Sequence, residues 1–301
     1  MTYSSGSLIR ATDYNTFATD VNSVWDTYYG QTSVGSVSAG GVVSATQWAT
    51  LASAITNGYI HQSGSNPSVA SPTVGQTVGI IANLSTAVSY IQTNKYNSYA
   101  FGTQTNSNYT AGAAGSGSSA WQMVWTQSIT FASIAARNRY FWSGGVVFIT
   151  FAKSSTGQSN DSTWNSLAAA CNQISFTSDS SSKVIAGVTY QGTNKQGGSG
   201  TPTTVATTIG YNQLTGSNQL IFQQYSPTYP YTGAYIAVSA SLQDSVNSVQ
   251  FQTVWYQPAG ADPSHVVNIS AGAVTTIYNN PPEQTYISNT WGTPSMLSVL
   301  T

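Results

Sequence analysis

The chain has 301 residues and a mass of 31.6 kDa, and only 5% of its residues are charged, against ~25% in an average soluble domain. Seven Lys and Arg face eight Asp and Glu, which gives a net charge of −1 and a pI of about 6.0. These figures exclude a nucleic-acid binder, which needs a cationic patch to displace counterions from phosphate. With 12% aromatic residues they also exclude a charged disordered tail.

The length predicts about two domains. The first, residues 1–98, reads as helices. Thr12 is the expected N-cap, with Asp13 in the first turn. Tyr14, Phe17, Val21, Val24 and Trp25 then recur on one helical face, and Gly30 ends the segment. The same phrase returns at a constant offset of 34: Tyr14 matches Trp48, Phe17 matches Leu51, Val21 matches Ile55 and Trp25 matches Tyr59. Two copies are too few for a solenoid, so a short duplicated helical module is expected. A third helix, roughly residues 76–95, aligns Ile80, Leu84, Val88 and Ile91 on one stripe, after a loop marked by Pro67 and Pro72. Uncharged helices of this kind suit attachment or oligomerisation, with Tyr14, Phe17, Val21, Trp25, Trp48, Leu51 and Ile55 as the expected contact stripe.

Residues 99–120 read as a Gly/Ser-rich linker, low in complexity from Ala111 to Ser119. Period-two alternation begins at Trp121, Met123 and Trp125 and runs to Phe131. Arg137-Asn-Arg139-Tyr-Phe-Trp-Ser-Gly-Gly145 reads as a strand, a glycine turn and then a buried strand from Val146 to Phe151. Its two arginines are expected to meet scarce carboxylates, or backbone carbonyls at a subunit boundary. One capped helix is expected over about three turns from Asp161. Further strands are expected at 184–190, 205–211, 219–225, 234–242, 248–256 and 266–278. The fold class that follows is α+β and mainly β: a helical module, then over 121–301 an antiparallel β-sandwich with one inserted helix.

Little in the chain points to chemistry. His61 and His265 have no ligand-spaced partner and read as loop residues, so no metal site or cofactor is expected. Cys171, the only cysteine, excludes an internal disulfide framework and reads as a buried structural thiol. A glycosidase needs two opposed carboxylates; Asp244 with Glu283 is the pair to test, and nothing selects it over chance. Asn-X-Ser/Thr at Asn83, Asn108, Asn160 and Asn268 is what so Asn- and Ser-rich a chain gives by chance. No apolar run approaches the ~20 residues that span a bilayer, and no signal peptide is expected at the start. The solvating work falls on 45 Ser and 39 Thr with Asn, Gln and Tyr. Hydroxyls and amides are re-paired on burial at lower desolvation cost than ions. Such a surface fits a subunit covered by its neighbours, or a neutral secreted β-protein that binds carbohydrate. The proline-punctuated segment with Tyr225, Tyr229, Tyr231 and Tyr235 serves either reading, stacking on sugar or on a neighbouring subunit.

Several of these segments together resemble virion structural proteins of tailed bacteriophages. They are Ile9 to Trp25 with Tyr29-Gly-Gln31, Val37 to Trp48, Trp125 to Phe131, the run from Arg137 to Gly145, Ile209 to Leu214 and Ala234 to Val238. At the position of Trp142 that family usually carries Asn. The resemblance implies a virion component of the tail, neck or a fibre-like appendage, with no catalytic residues to transfer. It further implies a homo-oligomer, a trimer first, with a helical attachment end, β-rich distal domains and other virion proteins as partners. The alternative function is a carbohydrate-binding appendage that contacts host surface glycans.

Overall fold

The computed structural model describes residues 10–69, 81–111, 120–155, 157, 161–227, 231–259 and 272–301. The fold is α+β and mainly β, with helices first and antiparallel sheets after them. Helices α1 (Ala11–Trp25), α2 (Ala45–Ser63) and α3 (Ile81–Thr93) pack on one another. Their apolar stripes make the bundle core: Tyr14, Phe17, Val21, Leu51, Ile55, Leu84, Val88 and Ile91 are all buried. The equivalent residues of the two repeat copies, Tyr14 and Trp48, meet with ring centroids 6.0 Å apart. At the start of α1 the expectation of a Thr12 cap is corrected. Arg10 holds the cap position without a side-chain bond, and Thr12 lies in the first turn, where its carbonyl accepts from Thr16 Oγ1. In α2, Ser44 and Gln47 form a reciprocal capping box, and Gly64 closes the helix at φ 72°. Ile80 and the expected first turn of the third helix lie outside the described residues.

Two asparagines tie the chain that follows α1 back onto it. Asn15 exchanges two 2.8 Å hydrogen bonds with the backbone of Val37, and Asn22 exchanges two of 2.9 Å with Val34. Seven residues apart, they share a helix face and pair with the strap as a neighbouring strand would.

The sandwich contains β1 (Thr105–Thr110), β2 (Trp121–Thr130), β3 (Val146–Lys153), β4 (Gln173–Phe176), β5 (Lys183–Ile185), β6 (Val188–Tyr190), β7 (Thr193–Gln196), β8 (Thr204–Val205), β9 (Gln219–Tyr225), β10 (Tyr235–Gln243), β11 (Ser248–Gln257), β12 (Ala273–Asn280) and β13 (Ser295–Leu300). One sheet runs β1-β12-β3-β4-β7, the other β13-β2-β11-β10-β9-β8, and β5-β6 is a separate hairpin. Inward residues interdigitate: Phe151 stacks on Phe222, Phe176 meets Phe251 edge-on, and Gln127 donates to the Thr275 carbonyl of the opposite sheet. The lateral borders also touch. Thr105 Oγ1 of β1 donates to Met296 Sδ of β13, and the Thr193 amide of β7 donates to the Ala206 carbonyl just past β8.

Several expectations are corrected. The span read as a linker contains β1, paired residue for residue with β12. The segment 184–190 is a hairpin, and the strand expected at 205–211 is two residues long before a turn. Strands β4, β7 and β13 were not expected: β4 and β7 are four residues long, and β13 sets its apolar residues in adjacent pairs, Met296-Leu297 and Val299-Leu300, instead of alternating them. The run at Arg137 is a helix, α4 (Ile134–Trp142), so the sandwich holds two helices where one was expected. Ser133 Oγ caps α4 by accepting from the Ala136 amide, and Ala136, Arg137, Tyr140 and Phe141 form its buried face. The spacing of that face is helical, and the adjacency of Tyr140, Phe141 and Trp142 disguised it.

Helices α4 and α5 (Asp161–Cys171) close the two ends of the sandwich. At the end reached by Thr130, Val146 and Ser248, Phe141 of α4 stacks on Tyr211 at 4.4 Å and touches Phe131, Tyr140 and Phe176. At the other end Trp164 of α5 lies 5.5 Å from Trp121 and 5.6 Å from Trp255. The helical bundle sits against the α4 end. There Gly144 (φ 96°) lets Ser98 approach so closely that an added Cβ would lie 2.7 Å from the Ser98 Cβ. Phe141→Ala is expected to lower the unfolding free energy by about 3–5 kcal/mol, read by denaturant titration.

Candidate interaction surface

The stripe expected to mediate contacts is used inside the chain. Tyr14, Phe17, Val21, Trp48, Leu51 and Ile55 are buried in the helical bundle, and Trp25 is half-buried against it with its Nε1 donating to the Thr32 carbonyl. These residues are core. An apolar helix face carries one signature in sequence whether its partner is the same chain or another copy.

Outward-facing surface is found elsewhere. The outer side of the β1-β12-β3-β4-β7 sheet is partly covered by the β5-β6 hairpin, which buries Val146, Phe148, Ile185 and Tyr190 in a small cluster of their own. The outer side of the other sheet has no such cover among the described elements. Its registered outward residues include Gln250 opposite Ser128 and Ser241, Gln252 opposite Thr126 and Ser239, and Val254 opposite Val124 and Ala237, with the small Ser241 and Ala237 buried between their larger neighbours. No Lys, Arg, Asp or Glu occurs among the described outward residues of this face. Leu297 at one border and Leu220 at the other are exposed.

Three of the seven cations have gone inward. Arg137, 2% exposed, donates to Asp244 (2.6 Å), the Tyr211 hydroxyl and the Ser248 carbonyl. This is the expected carboxylate contact, made within the chain. Lys153 and Asp161 form a buried ion pair, and Lys183 pairs with Asp179 at 3.1 Å. Burial lowers the Lys183 pKa against the pull of Asp179. Lys195 is held by the Ser199 and Gly200 carbonyls.

The tyrosines divide. Tyr229 lies outside the described residues. Tyr231 is buried against the core, which corrects its assignment as a contact residue. Tyr225 and Tyr235 stand on the outer face in register with Tyr256, a residue not singled out in the sequence. The Tyr225 and Tyr235 rings meet edge-on at 5.3 Å, and Tyr235 stacks on Tyr256 at 4.9 Å. A sugar ring needs an open aromatic face, and one face of Tyr235 is taken up by Tyr256. Tyr225 is 40% exposed.

The candidates for chemistry have structural roles. Asp244 sits in the β10–β11 turn on Arg137, whereas Glu283 accepts from the Thr285 amide and hydroxyl after β12. Cys171 is buried, and burial pushes its thiol up to about 12. Among the described residues no three His, Cys, Asp or Glu gather as a metal site, and no helix is long and apolar enough to cross a membrane. His265 lies outside them. His61 corrects the expectation of a loop residue: it is fully buried in α2, its Nε2–H donates to the Ser143 carbonyl at 2.9 Å, and its ring stands edge-on to Tyr29. It lies on the continuation of the Leu51, Ile55 and Gly58 stripe, the signal that would have placed it inside. No protein-family model, curated protein or solved structure matches the chain.

Burial lowers the His61 pKa from its usual 6.5 to about 4. The unfolded chain therefore takes up the proton first, and stability is full above about pH 6.5 and falls toward pH 4, by about 3 kcal/mol at pH 4. Urea titrations across that window are expected to show this loss, and His61→Gln, which still donates to Ser143, is expected to remove this component. The ion pairs are expected to be unequal. Asp161→Ala, which strips the buried Lys153 of its carboxylate, costs about 3–5 kcal/mol. Asp244→Ala is expected to cost less, because Asp244 is 63% exposed and the buried Arg137 keeps its bonds to the Tyr211 hydroxyl and the Ser248 carbonyl.

Proposed function

We propose that the chain is a non-enzymatic, homo-oligomeric structural component of a tailed-phage virion, in the tail, neck or a fibre-like appendage. The observation that carries this reading is the withdrawal of Arg137, Lys153 and Lys183 into internal ion pairs, beside a broad sheet face without charge. Mutual repulsion keeps free monomers apart, and this surface has little of it. The polarity of the molecule supports the same reading. The helical bundle sits against one end of the sandwich, leaving the α5 end to project. The sequence resemblance to phage virion proteins is its second support. The alternative, host-glycan binding, keeps Tyr225 as its half-open ring but loses Tyr231 to the core and one face of Tyr235 to Tyr256.

Size-exclusion chromatography with light scattering on the purified full chain is the test. The expected result is a particle of three times the 31.6 kDa chain mass. A monomer at every concentration refutes the reading. Binding to host envelope glycans that is lost in Tyr225→Ala would favour the alternative.

A further inference from the structure

We propose that the uncharged outer face of the β13-β2-β11-β10-β9-β8 sheet is the surface on which one copy of this chain meets another. This rests on the homo-oligomer reading and names its interface. The argument begins with what the face lacks. A surface that meets its own copy brings like groups together, so a patch of one charge sign opposes itself. A face of Gln, Ser, Thr and Tyr has no such penalty, and its amides and hydroxyls both donate and accept, so each can pair with its own kind. A partner rich in ions would have to strip those ions of water against a surface with no counter-charge to offset the loss. Of the chemistries available, a neutral hydroxyl- and amide-bearing surface fits best, and a second copy supplies one.

Size agrees. Five strands of this sheet, β13, β2, β11, β10 and β9, are six to ten residues long. At about 4.8 Å between strands and 3.3 Å per residue the face is roughly 24 by 30 Å, or about 700 Å². A stable interface buries about 800 Å² per partner, so the face is large enough to form most of one. Apolar anchors are also present. Leu297 at the β13 border, and Leu220 and Tyr225 on β9, are exposed large hydrophobic side chains at the margins of a face whose outward positions mix Gln, Ser and Thr with Val124, Val254 and Ala237. The outer side of the other sheet is also without charge at its registered positions, but it is not an open face, because Val146 and Phe148 lie under the β5-β6 hairpin.

Gln252 stands near the centre of the face, between Thr126 and Ser239. It points away from the core, and its amide oxygen accepts one exposed bond from Asn218. Gln252→Lys and Gln252→Glu therefore introduce a charge without disturbing the sandwich. Ala152→Lys, on the exposed outer side of β3, is the control. The measurement is light scattering on the full chain across a concentration series, with a thermal melt of each variant to confirm the fold. Wild type and Ala152→Lys are expected to hold the oligomer mass, and both Gln252 variants to fall to the 31.6 kDa monomer. Wild-type assembly is also expected to be insensitive to salt, since screening acts on charges that this face does not have. An oligomeric wild type whose Gln252 variants keep its mass overturns the face alone. Dissociation by only one sign of charge means that the opposing surface is charged, and overturns self-contact. A monomeric wild type overturns the oligomer reading and the face together.

Discussion

The structure turns on where a chain with so few ions puts them. Seven cations and eight carboxylates serve 301 residues, and three of the cations are spent inside. A buried ion pair gains little net stability over an apolar one, since desolvation offsets most of the attraction. What it does is fix geometry. Lys153 ties the end of β3 to the first residue of α5. Arg137 ties α4 to the β10–β11 turn and to Tyr211. Both helices that close the sandwich are thus held by one ion pair each and along their faces by aromatic rings. The exterior keeps hydroxyls and amides, and the neutral sheet face is what remains.

The junction between bundle and sandwich follows another logic, with neutral hydrogen bonds doing the joining. Gln31 donates to the Ser288 carbonyl and accepts from the Ser288 amide, and Thr290 donates to the Tyr29 carbonyl. Tyr29 also donates to the Lys95 carbonyl while accepting from Gln62. His61 completes the seam on Ser143. Trp142 joins it from α4, packed on Tyr28 at 4.9 Å and donating to Asn212. An indole at this position spans bundle and sandwich.

The helices were legible because a single stripe of large residues recurs at helical spacing, as from Tyr14 to Val24. The long strands were legible because β2 and β11 alternate cleanly. What escaped has physical causes. Short strands such as Thr193–Gln196 are held by register with a neighbour rather than by their own side chains. In α4 three adjacent aromatics suggested extension, while the decisive elements were the Ser133 cap and Ala136. The candidate surface escaped for a deeper reason. Gln250, Gln252 and Val254 are unremarkable one at a time, and only pairing with β2 and β10 assembles them into a face. The helical stripe, conspicuous in sequence, satisfies itself at home.

The joined borders of the two sheets have a consequence for a molecule this neutral. Exposed strand margins are templates on which further strands can add without limit, and most proteins guard them with lysine. Of the border strands only β7 carries a lysine, Lys195, and it is held by the Ser199 and Gly200 carbonyls. Instead β1 leans on β13, and β7 on the segment after β8, so each margin is occupied by the opposite layer. Association is thereby steered away from the ragged, open-ended growth that ends in fibrils. A polypeptide nearly without electrostatic protection can thus be crowded at high local density and still build something finite.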